Sequence, residues 1–218
     1  MGLGCDFSLR HYEQCIKAAK DSGYVFLKFH EWQEFEKYDK VIFLRHDIDM
    51  DIDSAMRVAK IELKYGIKST YFLRVLGKYN PWNLPNFDKL KELLAMGNEI
   101  GLHYEPDFST LNNRNLADDI IFQMKILEHF LNIKVQSICP HEPARTGSLH
   151  LDEETSKKLG NLLHAYNDFF FKRLKYISDS SCRWREGCMH EFIGRGVKQL
   201  CILTHPFWWY DKSPIENY

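Results

Sequence analysis

The sequence lacks several features that would point to a membrane, a nucleic acid or an oxidising compartment. Its 218 residues contain no apolar run long enough to span a bilayer, so we expect no stable membrane insertion. The formal net charge of −1 gives no reason to expect a nucleic acid as partner. The six cysteines include no Cys-x-x-Cys pair, and we interpret them as reduced thiols, neither a disulfide framework nor a zinc knuckle. The first ten residues, MGLGCDFSLR, have neither the basic region nor the apolar stretch of a signal peptide, so we expect a cytoplasmic location.

The residues that are present describe a folded α/β domain. The hydrophobic content of 44% suffices for a sizeable core, and the length predicts one domain over 1–218. Apolar β-rich runs such as KVIFLR, KSTYFLRV, NEIGLH and QLCILT alternate with segments such as SAMRVAKIELKYG, whose apolar residues recur at helical spacing. This alternation predicts a parallel sheet, either open or closed into a barrel. Six or seven βα units in this length favour a small or incomplete barrel.

Titratable residues follow five of the predicted strands at the same relative position. They are Asp47 and Asp49 after VIFLR, His103 after EIGL, His141 after VQSIC, Asp179 after YIS and His205 after CILT. Because parallel strands end at one edge of a sheet or barrel, these side chains are expected to converge. The sequence therefore predicts an active site at that edge.

The acidic run DIDMDID has alternative interpretations. An EF-hand loop needs Gly at its sixth and Glu at its twelfth position, and neither starting aspartate provides them. Helix capping accounts for Asp51 and Asp53, which precede SAMRVAK. Asp47 and Asp49 lie earlier, at the strand end, where a cation would relieve the repulsion between two close carboxylates.

Histidines are more often structural residues than ligands. His103 and His205 depart from that expectation because each follows a strand, although an aromatic core cluster is the alternative for His205 in LTHPFWW. The histidines without such placement are interpreted as structural or surface residues: His11, His30, His129, His150, His164 and His190.

These segments resemble the polysaccharide deacetylases with the NodB homology domain, over a core of about 40–209. RHDID resembles the first family motif, usually Thr-Phe-Asp-Asp, and GNEIGLHYE resembles the second, Gly-His-Glu-Ile-Gly-x-His. YISDSSCRWRE is similar to the fourth motif, and LTHP to the fifth, Leu-x-His. The resemblance implies a distorted, incomplete (β/α) barrel of about seven parallel strands.

The resemblance also implies a metal-dependent amidohydrolase. Asp47 would be the general base, His205 the general acid, and Asp179 the residue that orients a catalytic partner. Asp49 and His103 would bind a divalent metal ion, for which zinc is the expectation.

Two departures from the family motifs leave the ligand set open. The second histidine of the second motif is replaced by Asp107, so that either Asp107 or Glu105 is expected to complete the metal site. The third motif, usually Arg-x-Pro-Tyr or Phe, appears only as CPHEPAR, in which His141 and Arg145 are candidates for substrate binding and for the missing guanidinium. Trp208 is a candidate for a sugar-binding wall.

The expected reaction removes an acyl group, acetyl or formyl, from an amino sugar. The expected substrate is a nucleotide-linked or lipid-linked sugar, or an oligosaccharide, used in surface polysaccharide synthesis. A degenerate member that binds sugar or metal without catalysis is the alternative, supported by the missing histidine. A nucleotide-sugar transferase that uses Asp47 and Asp49 as an Asp-x-Asp metal site ranks last, because no nucleotide-binding unit is evident.

Overall fold

A computed structural model describes residues 5–160 and 162–217 of the chain. Its sheet has eight strands: β1 (Val25–Leu27), β2 (Val41–Ile48), β3 (Thr70–Leu73), β4 (Glu99–Tyr104), β5 (Ser137–Pro140), β6 (Leu163–His164), β7 (Lys175–Ser178) and β8 (Gln199–Thr204). Seven of them follow one another in the order β6-β5-β4-β3-β2-β8-β7, and β1 pairs beside the first half of β2. Every pairing is parallel. Since β6 and β7 are the two ends of this order, the predicted incomplete (β/α) barrel is confirmed.

The helices lie between the strands, as the alternating pattern predicts. They are α1 (Leu9–Asp21), α2 (Ile52–Lys64), α3 (Leu84–Ala95), α4 (Pro106–Leu111), α5 (Leu116–Leu131), α6 (Pro143–Thr146), α7 (Glu153–Leu159) and α8 (Met189–Gly194). Helical periodicity predicts the longer ones, whereas α4, α6 and α8 have too few residues to produce a periodic pattern. Short 3₁₀ segments cover Phe29–Lys37, Pro206–Trp208 and Pro214–Asn217, and a π-helical turn covers Phe169–Arg173. None of the helices in the described residues combines the length and hydropathy needed to cross a bilayer.

Polar side chains cap the two longest helices of the first third of the chain, α1 and α2. The Ser8 hydroxyl accepts a hydrogen bond from the backbone N–H of His11 at 3.1 Å, as expected of an N-cap. Asp51 caps α2 by accepting from the backbone N–H of Ser54 at 2.6 Å. The capping interpretation of this carboxylate is therefore confirmed.

The sheet separates two apolar clusters, and alternation along β2 assigns its residues to them. Ile42 and Leu44 pack on the side that the helices cover. Val41 and Phe43 belong to the cluster inside the barrel, which also contains aromatic residues such as Phe170. Because successive strand residues face opposite sides, the next two alternate residues of β2 after Phe43 also point into the barrel. Those two residues begin the functional site.

A buried polar network lies on the helix-covered side of the sheet. The Glu62 carboxylate of α2 accepts hydrogen bonds from the hydroxyls of Tyr12, Ser69 and Tyr71. His46 Nε2 lies 2.7 Å from the same carboxylate. Burial alone would raise the pKa of Glu62, but the charge of His46 and these hydrogen bonds lower it below its ordinary value.

Candidate active site at the carboxyl ends of the strands

The predicted convergence of polar side chains is observed. Strands β2, β4, β5 and β8 carry them at their carboxyl ends, on the inner face: Asp47, Asp49, His103, His141 and His205 line one cavity. Each continues the inward alternation of its strand, since Cys139 of β5 and Cys201 of β8 both belong to the inner cluster. The order of the strands thus brings together residues from distant parts of the sequence.

The Asp49 carboxylate is at the centre of this group. Its Oδ1 lies 3.1 Å from His103 Nε2 and 3.8 Å from His141 Nε2, and its Oδ2 lies 3.8 Å from His205 Nε2. Burial works toward a higher pKa for Asp49, but the hydrogen bond from His103 and the charges of the three imidazoles depress it strongly. Asp49 is therefore an anion that positive charge surrounds, as a metal-binding carboxylate would be.

Neighbouring groups fix the orientation of the His103 and His141 rings. His103 Nδ1 lies 3.0 Å from the backbone carbonyl of Cys139, which can only accept, so Nδ1 is the donor. His141 Nδ1 lies 3.1 Å from Glu105, whose other carboxylate oxygen accepts from Arg74 Nε at 2.6 Å. With Nδ1 as the donor in each ring, Nε2 is the nitrogen that faces Asp49, and its lone pair would become available when a metal ion displaces the proton on that nitrogen. This donor set, one carboxylate oxygen and two imidazole nitrogens, fits a divalent metal ion such as Zn²⁺.

Neither of the two residues expected to complete the metal site makes a contact with Asp49 or His103 in the described structure. Asp107 Oδ2 pairs with Arg145 Nη1 at 2.6 Å, and its side chain is 38% exposed. Because β4 ends at Tyr104 and Pro106 begins α4, the chain turns away from the cavity before Asp107. Glu105 contacts the Nδ1 of His141, while the Nε2 of that ring faces Asp49.

Arg45, which was not among the residues predicted from the sequence, contacts Asp47, whereas Arg145 lies elsewhere in the cavity wall. Arg45 is fully buried, and its Nη2 donates to Asp47 Oδ2 and to the Tyr166 hydroxyl, both at 3.0 Å. Its guanidinium carbon lies 4.7 Å from the centre of the Tyr166 ring. Arg145 is more than half exposed and pairs with Asp107 and Glu142. An arginine two residues before Asp47, on the same strand face, was the available sequence signal for this contact.

The two carboxylate oxygens of Asp47 differ in their hydrogen bonding. Oδ2 accepts from Arg45, while no hydrogen-bond partner for the buried Oδ1 exists among residues 5–160 and 162–217. Asp47 is only 3% exposed, yet it lines the cavity. A carboxylate fixed in this way can accept a proton at Oδ1 from a group bound in the cavity.

His205 and Asp179 form the second proton-handling pair. Asp179 is fully buried and accepts from the backbone N–H of His205 and, at 3.0 Å, from Trp209 Nε1. Its Oδ1 lies 2.6 Å from His205 Nδ1. Burial alone would lower the pKa of His205, but the hydrogen bond and charge of Asp179, with help from Asp49, raise it to about 9. The imidazolium therefore persists at neutral pH and can donate a proton from Nε2.

His103 also belongs to a second group of potential metal ligands. Asp47, His103 and Cys139 place their donor atoms within 4.8 Å of one another. Two features disfavour a cation there. The Arg45 guanidinium already binds the carboxylate oxygen nearest the sulfur, and burial raises the pKa of Cys139, which keeps it a thiol. The Asp49 side of His103 is therefore the better candidate for the metal.

The cavity above these residues has a volume of about 780 Å³, a size typical of small-molecule sites. Arg145 and Trp208, both expected to bind substrate, lie in its wall. Tyr166, Phe171 and Tyr176 add aromatic surface. Residues 180–183 complete the rim with small and basic side chains.

No protein-family model matches the sequence, and no curated protein matches it. Solved structures do match. The deacetylase PplD of Streptococcus pyogenes, solved with acetate, is 19% identical with a TM-score of 0.54, covering 96% of this chain and 84% of that one. IcaB of Ammonifex degensii is 18% identical with a TM-score of 0.51, covering 70% of this chain and 71% of that one.

A polysaccharide deacetylase of Bacillus cereus is 16% identical, with a TM-score of 0.55, and the match covers 96% of this chain and 60% of that chain. At these identities the similarity establishes the fold. The resemblance predicted from the motifs is therefore confirmed as the NodB-like fold of the polysaccharide deacetylases.

Proposed function

We propose that the protein is a metal-dependent amidohydrolase that removes an acyl group, acetyl in the first instance, from an amino sugar. The observation that carries this proposal is the arrangement around Asp49. Two imidazoles direct their Nε2 atoms toward its carboxylate, and a candidate base and a candidate acid border the same cavity. The deacetylase fold agrees with this reaction.

In the proposed site, Asp49, His103 and His141 hold the metal ion, and His141 takes the role for which the sequence left Asp107 and Glu105 as candidates. A divalent ion such as Zn²⁺, when bound there, polarises the amide carbonyl and lowers the pKa of water. Glu105 orients His141 through Nδ1. Asp107 then has no role at the metal, which agrees with its pairing at the surface.

The chain supplies both proton transfers. Asp47 accepts the proton of the attacking water at Oδ1, while Arg45 holds the other oxygen. When the carbon–nitrogen bond breaks, His205 Nε2 donates its proton to the departing amine, which would otherwise leave as an unstable amide anion. Asp179 keeps His205 protonated and oriented. The products are a carboxylic acid and a free amino sugar.

The substrate class follows from the cavity and its walls. Its volume admits a sugar ring with part of a carrier, and Trp208 offers an indole face for stacking on that ring. Arg145 lines the same wall and is placed to bind the phosphate of a nucleotide-linked or lipid-linked sugar. An oligosaccharide is the other member of this class. We propose a cytoplasmic step in surface polysaccharide synthesis, with support from six cysteines that form no disulfide.

Two other hypotheses lose their main support. The non-catalytic alternative rested on the missing second histidine, and His141 offers an imidazole beside Asp49. The transferase hypothesis required Asp47 and Asp49 to share one cation, but Arg45 already neutralises Asp47.

The proposal is tested by loading the protein with Zn²⁺, Co²⁺ or Mn²⁺ and measuring free amine from N-acetylated and N-formylated sugars. Donors are chitooligosaccharides and nucleotide-linked N-acetylglucosamine. We expect amine release that requires the metal. A protein that binds metal in the site and releases no amine from any donor would contradict the proposal.

Metal affinity tests the ligand set separately. His141→Ala should weaken binding by on the order of 100-fold or more, since even outer-shell changes cost about 10–100-fold. Asp107→Asn, the matched control, removes only a surface ion pair worth up to about 1 kcal/mol and should change affinity by less than about fivefold. The reverse result, loss with Asp107→Asn and retention with His141→Ala, would restore the ligand set expected from the sequence.

A further inference from the structure

We propose a second metal site, outside the cavity, in which Zn²⁺ is bound by two cysteines and two histidines. His11 and Cys15 lie one turn apart on α1. Cys188 is the N-cap of α8, and His190 is in its first turn. The donor atoms of these four side chains all lie within 4.8 Å of one another.

The distances match a tetrahedral zinc centre. Bonds of about 2.3 Å to sulfur and about 2.0 Å to nitrogen place neighbouring sulfur and nitrogen ligands about 3.5–3.6 Å apart. His11 Nε2 lies 3.6 Å from Cys15 Sγ and 3.5 Å from Cys188 Sγ. One imidazole nitrogen therefore stands at the expected spacing from both sulfurs.

Hydrogen bonding alone accounts poorly for this arrangement. An imidazole nitrogen has either one lone pair or one proton and so makes one good hydrogen bond, whereas His11 Nε2 faces two cysteine sulfurs. His190 also has an unsatisfied polar atom, because its buried Nδ1 has no hydrogen-bond partner in the part of the chain that the structure describes. A cation between the four side chains satisfies all of these groups together.

Charge and burial favour zinc over the harder cations. Cys15 and Cys188 are 1% and 2% exposed, so isolated thiolates there would be costly. Zn²⁺ displaces the two thiol protons to solvent, and its charge balances the two thiolates, which leaves a neutral centre. Two sulfur and two nitrogen ligands are a common set for structural zinc, while Mg²⁺ and Ca²⁺ prefer oxygen.

The site would join the first helix of the chain to the helix that precedes β8. The His11 ring also stacks on the indole of Trp209, with ring centres 6.4 Å apart and planes 12° apart. Trp209 in turn donates to Asp179, the partner of His205. The metal would thus help to fix Trp209, and through it the pair formed by Asp179 and His205.

Sequence spacing does not predict this site. Its ligands come as His-x-x-x-Cys and Cys-x-His, without a Cys-x-x-Cys pair, and the two halves are 173 or more positions apart. The short helix α8 that presents Cys188 and His190 has no helical periodicity in the sequence. Only the fold brings the pairs together.

Cobalt titration of the reduced protein tests the proposal, because Co²⁺ bound by thiolates gives a charge-transfer band in the near ultraviolet. The catalytic set proposed above contains no sulfur and cannot give this band. We expect the wild-type protein to bind two equivalents of Co²⁺ and to show the band. Cys15→Ser, Cys188→Ser and His190→Ala should each lose one equivalent and lose or strongly weaken the band.

Two controls address other thiols. Cys201→Ser removes a buried cysteine of the inner cluster and should keep the band, as should Cys139→Ser. Loss of the band in Cys139→Ser would assign the thiolate to the Asp47 side of the active site and overturn the proposal. Cys5, which interacts with Cys188 and His11, could replace His190 as a ligand. If the charge-transfer band survives in His190→Ala, the proposed ligand set is wrong.

Thermal unfolding provides a readout that does not depend on colour or activity. An Asp49→Asn variant, which weakens the catalytic site, should still show a rise in melting temperature when Zn²⁺ is added. Asp49→Asn combined with Cys188→Ser should show no such rise. A folded wild-type protein that takes up no thiolate-bound cobalt would refute the second site while leaving the proposed catalysis untouched.

Discussion

The pair formed by His205 and Asp179 offers the sharpest quantitative test of the proposed chemistry. Asp179→Asn removes the charge that holds the imidazole protonated and keeps the size of the side chain. The pKa of His205 should then fall from about 9 toward its ordinary value of 6.5, or lower, since burial still disfavours the charged ring. That fall corresponds to about 3 kcal/mol of lost stabilisation of the imidazolium.

The consequence for activity depends on pH. At about pH 7.5 more than nine-tenths of the wild-type imidazole carries its proton, whereas in Asp179→Asn about one-tenth does. We therefore expect kcat/KM to drop by at least about tenfold at that pH, and the alkaline limb of the profile to move to lower pH. A cation bound at Asp49 lowers the pKa of His205 in both proteins, so the tested quantity is the difference between them.

The assay is amine release across the pH range with the same metal in both proteins. The ratio of wild-type to variant activity should shrink as the pH is lowered, because the variant recovers its protonated acid. Trp209→Phe is the matched control, since it removes the indole donor to Asp179 but keeps the carboxylate, and its alkaline limb should stay in place. A ratio that does not change with pH would refute the role of Asp179 as a source of charge.

Three buried contacts allow measurements of stability. Arg45→Met leaves a buried carboxylate without its partner and should lower the free energy of unfolding in urea by about 3–5 kcal/mol. Arg145→Met, at a surface pair, should change it by no more than about 1 kcal/mol, and equal losses would contradict the assignment of the buried guanidinium. Gly101→Ala places a Cβ 2.6 Å from a phenylalanine ring and should cost about 1–3 kcal/mol, seen as a lower melting temperature. Gly194→Ala, where nothing lies within 4 Å, is its control and should not lower it. Glu62 has a pKa below 4.5 in the folded protein, so its contribution is present above that pH and is lost as the pH falls through the lowered value. The stability difference between wild type and Glu62→Gln should accordingly shrink below about pH 4.5, and a constant difference would argue against an ionised carboxylate in that network.

The sequence predicts the barrel and the positions of Asp47, Asp49, His103 and His205 because those features are local. Strand alternation fixes which residues face inward, and the end of each strand fixes the height at which a side chain enters the cavity. Nothing in that reasoning depends on which strand lies next to which. The same local logic also predicts that Asp51 caps a helix.

The parts that sequence reasoning missed depend on neighbours distant in the chain. Whether Asp107 reaches Asp49 depends on the turn after β4, where Pro106 begins a helix and Asp107 finds Arg145. The sequence places His141 among the converging side chains, but its position next to Asp49 depends on β5 pairing with β4. The cluster around His11 depends on the packing of the first helix against a six-residue helix near the other end of the chain.

The proposed site accounts for both departures from the family motifs. In the β4–β5 register His103 pairs with Cys139, so the next inward position of β5 is His141. A histidine there reaches the same carboxylate that a second histidine after His103 would serve. It also lies in the segment where the third motif normally supplies an arginine. In the proposed site another residue must therefore provide the guanidinium beside Asp47. Arg45, on the inner face of the strand that carries Asp47, provides the guanidinium that contacts this carboxylate.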